Sequence, residues 1–177
     1  MTPAARLQAA IEIVDEVVVA AHAGGAAADT LIARYFKTRR YAGAKDRRAV
    51  RDLAYAAIRR AGERPPSGRA AMIGLARDRP DLASLFDGST NGPAPIGDEA
   101  VASAGIAPAW LEAKLAAALG AEELPALLER APLDLRVNRL RAAREAVLTE
   151  LPEAEPGLLS SDALRLAEGT RVEALPA

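Results

Sequence analysis

The sequence predicts a mainly α-helical protein, with a helical bundle over residues 2–131 followed by an incomplete α+β segment over residues 132–177. Three observations carry this prediction. Half of the 177 residues are hydrophobic, yet only six are aromatic and 43 are alanine, so the apolar mass is spread over small side chains that suit closely packed helices. A β-sandwich or small barrel needs β-branched and aromatic positions broken by turn signals about every ten residues, and the chain does not supply them. Finally, apolar residues recur at three- and four-residue spacing up to Pro132, where the period changes to two.

The elements follow in order. Thr2-Pro3 places a capping hydroxyl before a proline at the first helical position, and Leu7, Ala10, Ile11, Val14, Val17, Val18 and Ala21 continue a helix that Gly24-Gly25 ends. Asp29 can cap a second helix through Leu31, Ile32, Tyr35 and Phe36. After the Tyr41-Ala42-Gly43 turn, a third helix runs from about Ala44 to Ala61. On a helical wheel Val50, Leu53, Ala54, Ala57 and Ile58 form its apolar stripe, Arg48, Asp52, Tyr55 and Arg59 lie opposite, and Arg51 is on the flank. Ser67 begins a helix through Met72, Ile73, Leu75 and Ala76, and Pro80 starts a short one with Leu82, Leu85 and Phe86. Asp87 to Gly97 reads as a Pro/Gly-rich surface loop. Pro108 opens a helix closed by Gly120, in which Trp110 is in phase with Leu111, Leu115 and Leu119 and so reads as core. A last helix holds Leu124, Leu127 and Leu128. Beyond Pro132, Leu133 to Asn138 alternates as a strand, Ala142 to Leu151 is helical, Pro152 to Gly157 is a linker, and Ala163 to Ala167 and Arg171 to Leu175 read as two more strands. A β-α-β-β piece of this size is too edge-exposed to stand alone, so a second domain is expected to start here and continue beyond the chain.

Several chemistries are excluded. With no cysteine there is no disulfide, thiolate metal site or cysteine nucleophile, and the lone His22, near a helix end, cannot build a histidine metal site or a Ser-His-Asp triad. None of the 13 glycines forms a phosphate-cradling motif. The carboxylate pairs Asp15/Glu16, Asp98/Glu99 and Glu122/Glu123 read as helix-dipole partners and solubilising charge. No apolar run approaches the roughly 18 residues of a membrane span, and the N-terminus lacks the basic start of a signal peptide. A cytoplasmic protein without membrane or metal partners is expected.

The net charge of −1 conceals a segregation. Between Arg34 and Arg64 eleven basic residues face three acidic ones, so this segment carries +8 and the rest of the chain −9. Such a block marks a polyanion as a candidate partner, because the arginine fork donates two parallel hydrogen bonds to phosphate and keeps its charge at any relevant pH. The candidate RNA contacts are Arg34, Lys37, Arg39, Arg40, Lys45, Arg47, Arg48, Arg51, Tyr55 and Arg59. Tyr35, Tyr41 and Tyr55 are interleaved with them, and an exposed ring there offers a stacking face for an unpaired base; Tyr35 fits either a core position or such a platform. A smaller cluster, Arg136, Arg139, Arg141 and Arg144, either extends a phosphate-tracking surface or blunts a strand edge with charge.

The chain also resembles a known family. T-P-A-A-R at Thr2 to Arg6, R-Y-A-G-A-K-D-R-R-A-V-R-D from Arg40 to Asp52, G-R-A-A-M-I-G-L from Gly68 to Leu75, P-A-W-L at Pro108 to Leu111 and, most specifically, A-P-L-D-L-R-V-N-R-L at Ala131 to Leu140 are similar to the N-terminal part of bacterial RNA cytosine-5 methyltransferases of the RsmB/NOP family. The resemblance implies a NusB-like helical RNA-binding domain, then the start of the α+β region that precedes a catalytic domain binding S-adenosylmethionine. In that family a catalytic cysteine attacks carbon 6 of cytosine; this sequence has neither the cysteine nor the glycine-rich cofactor loop. The resemblance therefore implies an RNA-recognition role without methyl transfer by these residues, with ribosomal or transfer RNA and the family's own catalytic domain as partners. A NusB-type antitermination factor and a helical protein-interaction domain without RNA are the alternatives.

Overall fold

The computed structural model describes residues 1–129, 131–167 and 170–172. Its contacts divide the chain into two compact units, Met1–Leu128 and Glu129–Ala177. The first unit opens as the capping chemistry demands: Thr2 accepts from the Ala5 N–H at 3.1 Å, Pro3 occupies the first turn of α1 (Pro3–Ala23), and Gly24 closes the helix in the left-handed region at φ 65°. Then follow α2 (Ala28–Lys37), α3 (Ala44–Arg60), α4 (Gly68–Asp78), α5 (Pro80–Ala83) and α6 (Ala109–Leu119). Asp29 does not cap α2. Ala27 holds that position, and the Asp29 carboxylate accepts the Tyr55 hydroxyl of α3 at 2.6 Å instead.

α1, α3 and α4 pack around Leu7, Ile13, Val14, Val50 and Met72, all essentially inaccessible. Burying each such side chain stabilises by about 1.5–3 kcal/mol. The approach of α4 to α1 needs Gly68, whose N–H donates to Asp15 at 2.6 Å and whose missing Cβ would collide with the Ile11 carbonyl. Asp15 is thus a tether and not merely solubilising charge. The Pro/Gly-rich segment after α5 is also held down. Arg69 reaches Glu99 at 2.7 Å and the Ala94 and Pro95 carbonyls; Arg60 reaches Asp78 at 2.6 Å and the Ala102 carbonyl at 2.9 Å.

Two expectations for the C-terminal part of this unit are corrected. Trp110 is 67% exposed, because α6 buries none of its residues and its main neighbour is the short helix after it; the Lys114 ammonium covers the indole at 5.5 Å. An apolar stripe shows which face of a helix is greasy, not whether a neighbour arrives to cover it. The following Ala121–Leu128 is a 3-10 helix, since an α-helix would bring the Pro125 ring against the carbonyl four residues before it.

In the second unit β1 (Leu133–Arg136), β2 (Glu155–Pro156) and β3 (Ala163–Leu166) form an antiparallel sheet of order β1-β3-β2, with α7 (Arg144–Glu150) between β1 and β2 in the chain. Leu133 faces Leu166 and Leu135 faces Leu164 on the side that buries Leu151 and Ala154; Asp134 faces Arg165 on the other and pairs with it at 2.7 Å. β2 lies inside the expected linker. It is an edge strand, where Pro156 need not donate to a second neighbour. Residues 173–175 of the last expected strand lie outside the described residues, and Arg171 and Val172 pair with no strand among those described. No helix of the described residues is long and apolar enough to cross a membrane.

The ion pairs make acid stability predictable. The Arg6 guanidinium, at 2.8 Å, holds the Asp46 carboxyl below its ordinary value of 3.8, and Arg60, Arg69 and Arg165 do the same for Asp78, Glu99 and Asp134. A folded-state value depressed below the unfolded one stabilises above the unfolded value, and that contribution is lost as pH falls through the folded one. Thermal melts followed by circular dichroism are expected to show falling stability from about pH 4 downward, with a shallower fall in the variant Asp46→Asn.

Candidate nucleic-acid interface

The basic block folds onto α2, the turn after it and α3. The wheel reading of α3 holds except at Tyr55: Val50, Leu53, Ala54 and Ala57 are buried and Ile58 half-buried, Arg48, Arg51, Asp52 and Arg59 are exposed, but Tyr55, placed opposite the stripe, is half-buried against the core. Between α2 and α3 lies an open cleft of about 530 Å³, floored by Ile32, Ala33 and Phe36 and edged by Arg47, Arg48 and Arg51. One acidic side chain, Asp29, also lines it and is engaged by Tyr55. Arg47 is positioned twice: its Nε donates to the Ala42 carbonyl at 2.9 Å, and its guanidinium lies 5.7 Å from the centre of the Phe36 ring. Its Nη groups make no hydrogen bond among the described residues and the side chain is exposed, which suits an anion.

Arg34, Lys37, Arg40, Lys45, Arg48, Arg51 and Arg59 are exposed and form no ion pair among the described residues. Asp46, nominally their counter-charge, is taken up by Arg6. Asp46 therefore does not offset the exposed cations of α2 and α3. Arg60, included in that count, is spent on Asp78 and the Ala102 carbonyl.

The tyrosines separate into three kinds. Tyr35 is core, 5% exposed, and its hydroxyl donates to Glu12 at 2.6 Å. Burial first, then that bond, raise its ionisation well above the ordinary tyrosine value, so it remains a donor. Tyr55 is not an open platform: its ring packs against the core, its hydroxyl donates to Asp29, and Arg59 stands 5.5 Å from the ring centre. Tyr41, left out of the candidate contacts, is the exposed ring, at 73%. Arg39 departs from the cleft group as well. It lies 3.6 Å from the Tyr35 ring centre and 3.5 Å from Glu12, lining a different cavity with them. Glu12 itself went unmarked; its one sequence signal is a carboxylate between Ile11 and Ile13, four residues after Gln8.

In the second unit Arg139 pairs with Asp162 at 2.7 Å and Arg144 with Glu145 at 3.4 Å, whereas Arg136 and Arg141 are exposed and line a cleft of about 460 Å³ with Val137 and Leu151.

The family model described as Methyltr_RsmF/B-like, ferredoxin-like domain matches residues 107–173, a stretch that includes α6, the 3-10 helix, α7 and all three strands. No curated protein and no solved structure matches the chain.

Proposed function

We propose that this chain is the RNA-binding N-terminal part of an S-adenosylmethionine-dependent RNA cytosine-5 methyltransferase of the RsmB/NOP family, and that the α2–α3 face holds ribosomal or transfer RNA for a catalytic domain. The observation that carries the reading is the cleft itself, which brings Arg47, Arg48 and Arg51 together over an apolar floor with no ion pair among the described residues, its one acidic lining residue, Asp29, accepting the Tyr55 hydroxyl. The match of residues 107–173 to the ferredoxin-like domain of such enzymes supports the family and favours it over a free-standing antitermination factor. On this reading the helices ahead of residue 107 form the NusB-like bundle, and the α+β region starts before the change of period at Pro132.

These residues include no cysteine, so the nucleophile is not among them, and the cofactor and the transfer step belong to the catalytic domain. What this chain contributes is position. Phosphate contacts fix the register of an RNA without reading its sequence, and holding a target at a reactive centre converts a bimolecular encounter into an oriented one.

Filter binding of structured RNA across a salt series tests the reading. With four to six phosphates neutralised, the logarithm of the affinity is expected to fall with the logarithm of salt at a slope of roughly −3 to −4, about 0.7 per contact. No measurable affinity at low salt, or an affinity indifferent to salt, overturns it and leaves the basic face as a protein-docking surface.

A further inference from the structure

Away from the cleft, Gln8 and Glu12 of α1 open into a cavity of about 690 Å³, within the roughly 300–1,000 Å³ of small-ligand sites. Its lining is polar and already organised. The Tyr35 hydroxyl and the Arg39 guanidinium both reach Glu12 Oε2, at 2.6 and 3.5 Å, while Gln8 Nε2 donates to Glu12 Oε1 at 3.2 Å. The segment carrying Asn91 also lines it and is fixed by its own bonds: Ser89 N–H to Asp87 at 2.9 Å, Gly92 N–H to the Ser89 carbonyl at 3.0 Å and Gly88 N–H to the Pro93 carbonyl at 3.0 Å, with Pro93 buried. Tyr41, exposed and without a hydrogen bond among the described residues, completes the lining.

This donor and acceptor pattern is selective. Gln8 spends an amide hydrogen on Glu12, leaving its carbonyl oxygen beside the carboxylate as a pair of acceptors. Acceptors demand a ligand edge rich in N–H groups, while the Arg39 guanidinium and the Asn91 amide supply donors for a ligand oxygen. An exposed tyrosine supplies a face for a flat ring. Guanine combines two adjacent donor positions, N1–H and N2–H₂, with the O6 acceptor next to them; adenine presents no such pair.

We infer that this cavity takes an unpaired guanine of an RNA loop or single strand, stacked on Tyr41 with its N2–H₂ on Glu12 Oε1, its N1–H on the Gln8 carbonyl oxygen and its O6 toward Arg39. Arg40, next to Tyr41 in the turn, then meets the adjoining phosphate. The inference rests on the RNA reading above and gives that surface a base preference the arginine cleft lacks.

Fluorescence anisotropy of the whole chain with uridine oligomers carrying one central guanine, inosine or adenine separates the two readings. Guanine is expected to bind roughly five- to a hundredfold more tightly than adenine, the span of one good bidentate base contact, with inosine between them because it lacks the N2 amine. Tyr41→Ala, a change on an exposed ring that leaves the core intact, weakens all three oligomers that insert a base. Glu12→Gln removes the guanine–inosine difference; because it also disturbs the Tyr35 bond, its melting curve is recorded alongside, and Asn91→Ala provides a surface variant that narrows the guanine–adenine gap without touching that bond. Equal affinity for the three oligomers, a preference for adenine, or unchanged binding by Tyr41→Ala overturns the guanine site while the RNA reading stands. Absence of binding to every oligomer and to structured RNA at low salt overturns both.

Discussion

Reversing Arg47, Arg48 and Arg51 to glutamate is expected to lower the affinity for structured RNA at least tenfold at low salt and to flatten the salt dependence by about 2 in slope, the share of three phosphate contacts at about 0.7 each. The loss falls on all RNA sequences alike, since contacts to the backbone carry no base information. The fold tolerates the change. Arg48 and Arg51 are exposed and without ion pairs among the described residues, and only Arg47 makes a hydrogen bond, to the Ala42 carbonyl, that substitution removes. That bond is worth on the order of 1 kcal/mol. Because three reversals also shift the net charge by six, the matching control reverses Arg77, Arg79 and Lys114, which are exposed and lie outside the cleft. An equal loss in the control would show that overall charge, not the α2–α3 cleft, attracts the RNA.

The other large effect is on stability. Gly68→Ala places a methyl group against the Ile11 carbonyl and 2.7 Å from the Asp15 nitrogen, both backbone atoms of α1 that cannot rotate away. Helices α1 and α4 must then separate, which loosens the layer holding Met72, Leu7 and Ile13 and stretches the bond from the Gly68 N–H to Asp15. Overpacking of this kind costs roughly 1–3 kcal/mol, and weakening a hydrogen bond to a charged acceptor adds about 1.5 kcal/mol or more. At about 2–4 °C per kcal/mol for a chain of this size, the melting temperature is expected to drop by roughly 10 °C. Gly97→Ala serves as the comparison: a Cβ there meets nothing within 4 Å, so its melting temperature stays within about a degree or two of the unsubstituted chain. A Gly68→Ala variant as stable as Gly97→Ala would show that the two helices do not approach as closely as described.

Helix positions in the first unit were legible because their causes are local. Thr2-Pro3, Gly24, Gly43 and Ser67 act on residues within a turn of themselves, and the apolar stripe of α3 reports the face that meets α1 and α4. The change of period at Pro132 likewise marked the sheet, though β2 was hidden because two residues are too few to show an alternation. Misjudged elements had causes farther off. Trp110 stands on an apolar stripe that none of the described elements buries, and Asp29 exchanges a capping role for the Tyr55 hydroxyl 26 residues away. For the candidate site, the charge count found the right segment and yet grouped residues that the fold separates.

Composition, capping chemistry and hydrophobic period by themselves determined a helical protein with a basic segment and a small terminal sheet, since each depends on neighbours along the chain. Only the tertiary structure decided which cations are free. Arg60 is consumed by Asp78, Asp46 is neutralised by Arg6, Arg39 turns onto Tyr35 and Glu12, and Arg47, Arg48 and Arg51 are left together over Phe36. A charge acts through what lies within a few ångströms of it, and in this protein its ion-pair partners are up to 45 residues distant in sequence.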